Sequence, residues 1–311
     1  MSAHFSWQSS PSEEKSADNS KLSADGRKPI NMKYLEVGHT NIPALGLGTC
    51  YIPNEATADI VGHALHLGYR HIDAAQWYNN EQEVGEGIRN SGVSRQEVFL
   101  TTKVQRRNLG KQDFLPSVEE SLRCLQTDYV DLLLIHWPHA ELPLESYLEE
   151  LMKALEQGKT RFVGVSNFNI AQLKRTMELG VPIVTNQVEF HPLVNQSTLY
   201  GWMRQHKLAL TAYCPLAQGQ AVRNPILKAI GEKYGKSAAQ VSLRWLLQLD
   251  GILAIPKTAN PARLRENLDV FDFELPDDDM AAIAELKRHN ARIVPEYHGA
   301  AWDDQAAVVW G

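Results

Sequence analysis

Residues 98–136 read VFLTTKVQRRNLGKQDFLPSVEESLRCLQTDYVDLLLIH, and two hydrophobic periods in that stretch decide the fold class. It opens with a short apolar run, 98–103, that ends on Lys103. Val118, Leu122 and Leu125 then recur at i, i+4 and i+7, the spacing of one helix face. The stretch closes on Val130-Asp131-Leu132-Leu133-Leu134-Ile135-His136, a nearly unbroken apolar strand of the kind buried on both faces. Strand, amphipathic helix and buried strand are thus read in order within forty residues.

Working outward, the same alternation continues in both directions. Strands are expected at 45–49, 71–73, 98–103, 130–136, 161–165, 183–189, 209–213 and 252–255. Helix-period segments lie between them, among them Leu148, Leu151, Met152 and Leu155. Eight strands alternating with helices over roughly 250 residues is the scale of a (β/α)8 TIM barrel. Periodicity alone leaves an open doubly wound sheet as the competing arrangement. Ahead of the first strand, Tyr34-Leu35-Glu36-Val37, Gly38-His39 and Ile42-Pro43-Ala44-Leu45 read as a β-hairpin with a glycine-containing turn. Residues 1–28 are rich in Ser, Asp and Lys and almost lack aliphatic side chains, so a disordered polar tail is expected there, with a single barrel domain over 29–311.

Composition narrows the partners. A formal charge of -6 with scattered Lys and Arg offers no basic face for nucleic acid or an anionic membrane. The longest apolar stretch is far too short to span a bilayer. Three widely separated cysteines, Cys50, Cys124 and Cys214, suit a reducing compartment without disulfides. A cytoplasmic monomer is the expectation. Several short motifs fail on inspection. Gly46-Leu47-Gly48 has Tyr51 where a dinucleotide fingerprint needs its third glycine. His63 and His66 share a helix face, but Ala64, Leu65 and Leu67 supply no further ligand, and no metal is expected.

Polar residues fall instead at strand ends, where a barrel carries its chemistry. Asp73 closes Tyr69-Arg70-His71-Ile72-Asp73, Tyr78 follows in the next loop, Lys103 ends the third strand and His136 the fourth. Each alone would read as a cap, a packed ring, a solvated cation or a core histidine. Their placement on three successive strand ends argues for a site.

Gly68-Tyr69-Arg70-His71-Ile72-Asp73-Ala74-Ala75-Gln76-Trp77-Tyr78-Asn79-Asn80-Glu81 resembles the first signature of the aldo-keto reductase family. The resemblance continues through Leu134-Ile135-His136-Trp137-Pro138, Gly164-Val165-Ser166-Asn167-Phe168, Asn186-Gln187-Val188-Glu189-Phe190, Tyr213-Cys214-Pro215-Leu216 and Ile255-Pro256-Lys257-Thr258. It runs from about residue 32 to about residue 286. Within the family the segments look most like bacterial 2,5-diketo-D-gluconate reductases. The resemblance implies NADPH-dependent reduction of a small-molecule aldehyde or ketone, such as a keto sugar acid or 2-oxoaldehyde. It implies a catalytic tetrad of Asp73, Tyr78, Lys103 and His136. Tyr78 would give a proton to the carbonyl oxygen, with Lys103 favouring the tyrosinate, Asp73 holding Lys103 and neutral His136 orienting the oxygen.

The resemblance also implies a cofactor cradle. Ser166, Asn167 and Gln187 would hold the nicotinamide carboxamide, and Tyr213 would stack on its ring. Pro215 and Leu216 continue the wall. Lys257, Thr258 and Arg263 would clamp the 2′-phosphate, and Glu266 and Asn267 would meet the adenine. Substrate would meet Tyr51, Trp77 and Trp137, with residues 105–111 and the aromatic tail after Arg292 (Tyr297, Trp302 and Trp310) over the barrel mouth. Two departures stand out: Ala74 where many members carry Ser or Thr, and Ala217-Gln218-Gly219 over the pyrophosphate region. A nucleotide-binding regulatory barrel, or a barrel enzyme using Lys103 as a Schiff-base amine, would be the rival readings.

Overall fold

A computed structural model describes residues 6–8, 32–294 and 302–304 of the chain. Three antiparallel strands come first: β1 (Ser6–Gln8), β2 (Tyr34–Val37) and β3 (Thr40–Pro43). The hairpin is as expected, turning on Gly38 at φ 61°. Part of the segment expected to be a disordered tail differs from that expectation, because residues 6–8 pair with β2. Strand β2 has an open edge there, and its unpaired backbone groups accept any short extended segment. The rest of 1–28 lies outside the described residues.

The barrel strands follow as β4 (Leu47–Gly48), β5 (His71–Asp73), β6 (Phe99–Val104), β7 (Val130–Ile135), β8 (Thr160–Ser166), β9 (Ile183–Glu189), β10 (Ala209–Tyr213) and β11 (Ile252–Ala254). All pair in parallel in chain order. Helices cover them: α1 (Asn54–Leu67), α2 (Glu81–Asn90), α3 (Phe114–Leu125), α4 (Leu144–Glu156), α5 (Ile170–Glu178) and α6 (Ser197–Gln205). The set continues with α7 (Gln220–Arg223), α8 (Pro225–Tyr234), α9 (Ala238–Gln248), α10 (Pro261–Leu268) and α11 (Asp277–Ala284). In α3 the buried side chains include Val118, Leu122 and Leu125, the face the periodicity predicts. Capping boxes at Asn169/Gln172 and Ser237/Gln240 start α5 and α9, satisfying backbone N–H groups that the first turn leaves open.

The sheet closes on itself, which removes the doubly wound alternative. Leu45 bridges Ala254 and Gly48 bridges Lys257, both in parallel, with Gly46 N–H donating to Ala254 O at 2.9 Å. The Gly46-Leu47-Gly48 triplet therefore serves closure. A Cβ on Gly46 would sit 2.8 Å from the His71 ring, and one on Gly48 2.9 Å from the Ile255 carbonyl oxygen. The hairpin lies against the opposite end of the ring, where the Pro43 carbonyl is 3.4 Å from His71 Nδ1. Beside it Asp131 pairs with both Arg95 and Arg161.

Because the clash at Gly48 is with backbone, Gly48→Ala should cost about 1–3 kcal/mol, the usual range for overpacking, seen as a lowered Tm. Gly62→Ala in α1 is the control: its Cβ would meet only the Gly87 carbonyl oxygen, at 3.6 Å. That change should leave Tm unchanged or raise it. Equal losses would show that close approach at Gly48 is not what demands glycine.

Candidate active site

Strand β5 ends on Asp73 and the adjacent β6 carries Lys103, so pairing in register sets both side chains at one end of the ring. Lys103 is fully buried and Asp73 nearly so. Lys103 Nζ donates to Asp73 Oδ1 at 2.5 Å, to the Ala74 carbonyl at 2.7 Å and to the Tyr78 hydroxyl at 3.2 Å. Three ammonium hydrogens meet three acceptors, so the buried charge has no unmet donor. Tyr78 comes from a short 3-10 turn, Gln76–Tyr78, that follows β5. His136 directly follows β7, and its ring lies edge-on to Tyr78 with centroids 5.7 Å apart. The structure thus brings all four sequence-predicted residues together.

Their protonation follows from burial. Desolvation pushes the Tyr78 phenol well above the ordinary tyrosine range, and the Asp73 carboxylate adds to it. The resting site therefore holds a protonated tyrosine, not the tyrosinate that the lysine alone would favour. Burial, then the Lys103 charge, push His136 well below the usual histidine range, so its ring is neutral as expected.

Beside this group stands a second, connected set. Gln187 on β9 donates to Asp73 Oδ2 at 2.8 Å. Ser166 Oγ donates to the Gln187 carbonyl at 2.8 Å. Asn167, in the left-handed region at φ 62°, donates to the His136 carbonyl at 3.0 Å and accepts from the Tyr213 hydroxyl at 2.9 Å. Pro215 is tied through its carbonyl to Ser242 Oγ at 3.0 Å, and Leu216 packs half-buried against the core. Just beyond, Ala217 and Gln218 both have φ 48° and Gly219 has φ 88°. Left-handed non-glycine residues cost energy that the surrounding structure must offset.

The other expected residues divide. Lys257 and Arg263 are exposed and form no ion pair among the described residues. Thr258 is turned inward on its own loop, accepting from Asn260 N at 3.0 Å. Glu266 accepts from Ser237 Oγ at 2.5 Å, and Asn267 is buried beside Tyr69. Tyr51 is 71% exposed and Trp77 49% exposed, their rings in edge contact at 5.9 Å. Trp77 also reaches the His136 ring at 6.2 Å. Trp137 meets Trp302 of the C-terminal tail at 6.1 Å. This part of the tail lies over the mouth as expected, while Tyr297 and Trp310 lie outside the described residues.

Sequence reasoning missed several residues. Buried Gln76 accepts from Gln105 N at 3.0 Å and Asn108 Nδ2 at 2.9 Å, and donates to Ser121 Oγ at 3.1 Å and to the Ser117 carbonyl at 3.0 Å. Fully buried Glu189 accepts from Ile293 N at 2.6 Å and Val294 N at 2.7 Å. Asp303 accepts from Ile170 N at 3.0 Å and Asp304 from Thr198 N at 3.0 Å, each at the first turn of a helix. Burial pushes the Cys50 thiol above its ordinary range. A polar residue inside an apolar motif was the only available signal, for Gln76 and Glu189 alike.

Comparison with known proteins agrees with this geometry. Residues 44–288 match the model of the Aldo/keto reductase family. The chain is 41% identical over 267 residues to methylglyoxal reductase DkgB of Yersinia pestis, covering 85% of this chain and 100% of that protein. It is 42% identical over 265 residues to glyoxal reductase of Bacillus subtilis, covering 84% and 95%. A crystal structure assigned as 2,5-diketo-D-gluconic acid reductase B superposes with a TM-score of 0.83 at 46% identity, over 85% of this chain and 94% of that one.

Replacing Gln76 by Leu removes a hub and leaves Gln105 N and the Ser117 and Ser121 groups short of partners. An unmet buried polar group costs about 1–3 kcal/mol, so Gln76→Leu should lower Tm and speed hydrogen exchange at the Gln105 amide. Unchanged exchange there would show that the amide has another acceptor.

Proposed function

The chain belongs to the aldo/keto reductase family, and from that premise we propose that it reduces an aldehyde or ketone to an alcohol with NADPH, using Tyr78 as proton donor. The substrate class is a small carbonyl compound, a keto sugar acid or a 2-oxoaldehyde. One observation carries the reading: Lys103 Nζ is locked on Asp73 and still lies 3.2 Å from the Tyr78 hydroxyl.

The cofactor supplies hydride to the carbonyl carbon; the protein must manage the charge that develops on oxygen. A phenol held protonated by burial is a loaded acid. When its proton leaves, the Lys103 hydrogen bond stabilises the phenolate oxygen that remains. Neutral His136 can donate a ring N–H to the same carbonyl oxygen, as an oxyanion donor does. A Schiff-base role for Lys103 is disfavoured, because its nitrogen carries three hydrogens that are all engaged.

The residues present fit an NADP-type cofactor. Ser166, Asn167 and Gln187 cluster with the Tyr213 hydroxyl beside the tetrad, where they would hold the carboxamide and set the ring. Arg263 and Lys257 form no ion pair among the described residues, and a guanidinium and an ammonium would suit a 2′-phosphate. Thr258 would shape that loop, and Glu266 and Asn267 would meet the adenine. Tyr51, Trp77 and Trp137 would wall the substrate. We take the protein to act as a cytoplasmic monomer; its three cysteines are free thiols, and no described helix is long and apolar enough to cross a membrane.

Tyr78→Phe should lower kcat for carbonyl reduction by at least about a hundred-fold, the usual worth of a general acid, with NADPH affinity nearly unchanged. Retention of more than a tenth of kcat would refute the assignment. Arg263→Ala should weaken NADPH by roughly ten- to a hundred-fold and NADH far less, followed by fluorescence titration. Equal weakening of both would place Arg263 away from the 2′-phosphate.

A further inference from the structure

We propose that Arg106 reads a carboxylate on the substrate, so that the preferred substrates are acidic carbonyl compounds. This rests on the reductase reading and narrows it to a substrate class.

The first support is the pairing of cations. The chain carries 37 acidic residues against 31 Lys and Arg, and several of its arginines find them. Arg70 meets Glu97, Arg95 and Arg161 meet Asp131, and Arg244 meets Glu274. Arg106 does not pair in this way. It is half-buried, forms no ion pair with any described residue, and its Nε is shut from water with no hydrogen-bond partner. A buried guanidinium N–H without an acceptor is costly. An anionic ligand would relieve that cost, and the planar fork of arginine matches a carboxylate with two parallel bonds.

The second support is placement. Arg106 opens the 3-10 turn Arg106–Asn108, just past the end of β6, the strand that carries Lys103. Gln76 grips that turn on both sides, at Gln105 N and Asn108 Nδ2. Gln76 is itself two residues before Tyr78, so one side chain fixes the spacing between the Arg106 turn and the proton donor. Ordering entropy is then met by the fold instead of by the substrate. Lys257 and Arg263, which the cofactor would use, follow the last barrel strand on another sector of the ring. Arg106 therefore has no claim on it from the 2′-phosphate. Its neighbour Arg107 is exposed and needs no ligand.

The test compares 4-carboxybenzaldehyde with its methyl ester, which differ in charge but present the same aldehyde. With the full-length protein and NADPH, the wild type should favour the acid in kcat/KM. Arg106→Gln should raise KM for the acid by about ten- to a hundred-fold while kcat for the acid and both constants for the ester stay within about two-fold. Arg106→Lys, which keeps the charge but loses the fork, should recover part of the preference. The ester is the internal check that the variant is folded. Equal effects on acid and ester, or no preference in the wild type, would overturn the proposal. If neither aldehyde consumes NADPH, the reductase reading fails instead. Binding of 4-(hydroxymethyl)benzoate, followed by tryptophan fluorescence, then decides the Arg106 question by itself: weaker binding to Arg106→Gln supports it, and equal binding sinks it.

Discussion

A lysine ammonium with no solvent exposure must be fully compensated or the fold does not form, and Lys103 is such a group. Taking a charge out of water costs several kcal/mol even after relaxation. Here the carboxylate of Asp73, the Ala74 carbonyl and the Tyr78 hydroxyl together use all three ammonium hydrogens. Asp73 has its second oxygen met by Gln187. Removing one partner of such a pair commonly costs about 3–5 kcal/mol, because the other is left charged and alone. The pair thus ties the adjacent strands β5 and β6, the non-adjacent strand β9 and the loop that carries Tyr78. Stability and chemistry are served by one set of contacts.

The mouth around this pair is built at some conformational expense. Tyr51, Asn79, Asn167, Cys214, Ala217 and Gln218 all have positive φ, and all follow the C-terminal ends of barrel strands. Such residues cost energy and persist only where their surroundings over-determine them. Asn167 shows how: its amide holds the His136 carbonyl and its oxygen takes the Tyr213 hydroxyl, so one left-handed residue links three strand ends. The rigid ring below, closed by contacts that exclude a Cβ at Gly46 and Gly48, is what allows strain above.

Much of this was legible in the sequence, for physical reasons. Buried strands are near-continuous apolar runs, so 71–73, 183–189 and 209–213 are legible to the residue, and the others within one or two positions. A strand-end Asp, Lys or His is visible because it interrupts such a run. Closure was not legible, since Gly48 matters through atoms more than two hundred residues away, and Gly46 through Ile255 as well as His71. Gln76 was invisible for the same reason: its partners lie at Gln105, Asn108, Ser117 and Ser121, and no local period connects them. Tyr78 as a protonated donor was legible, but the upward direction of its pKa shift was not, because proximity to Lys103 can be guessed from spacing but the extent of burial cannot.

The C-terminal tail is bound into the same logic through β9. Side chains at i and i+2 of a strand share a face, and on β9 those positions hold Gln187 and Glu189. Gln187 satisfies Asp73. Glu189 is fully buried and is satisfied by His191 and by the backbone N–H groups of Ile293 and Val294. Without the tail, that carboxylate would lose two of its donors inside the protein, so the tail is part of the polar accounting of the barrel mouth. Farther along, Asp303 and Asp304 place negative charge at the first turns of α5 and α6, where helix dipoles favour it. Trp302 is thereby held between the Arg292 guanidinium and Trp137, the residue after His136. A strand that positions the reacting group on one residue and anchors the cover of the site two residues later ties the shape of the mouth to the integrity of the ion pair beneath it.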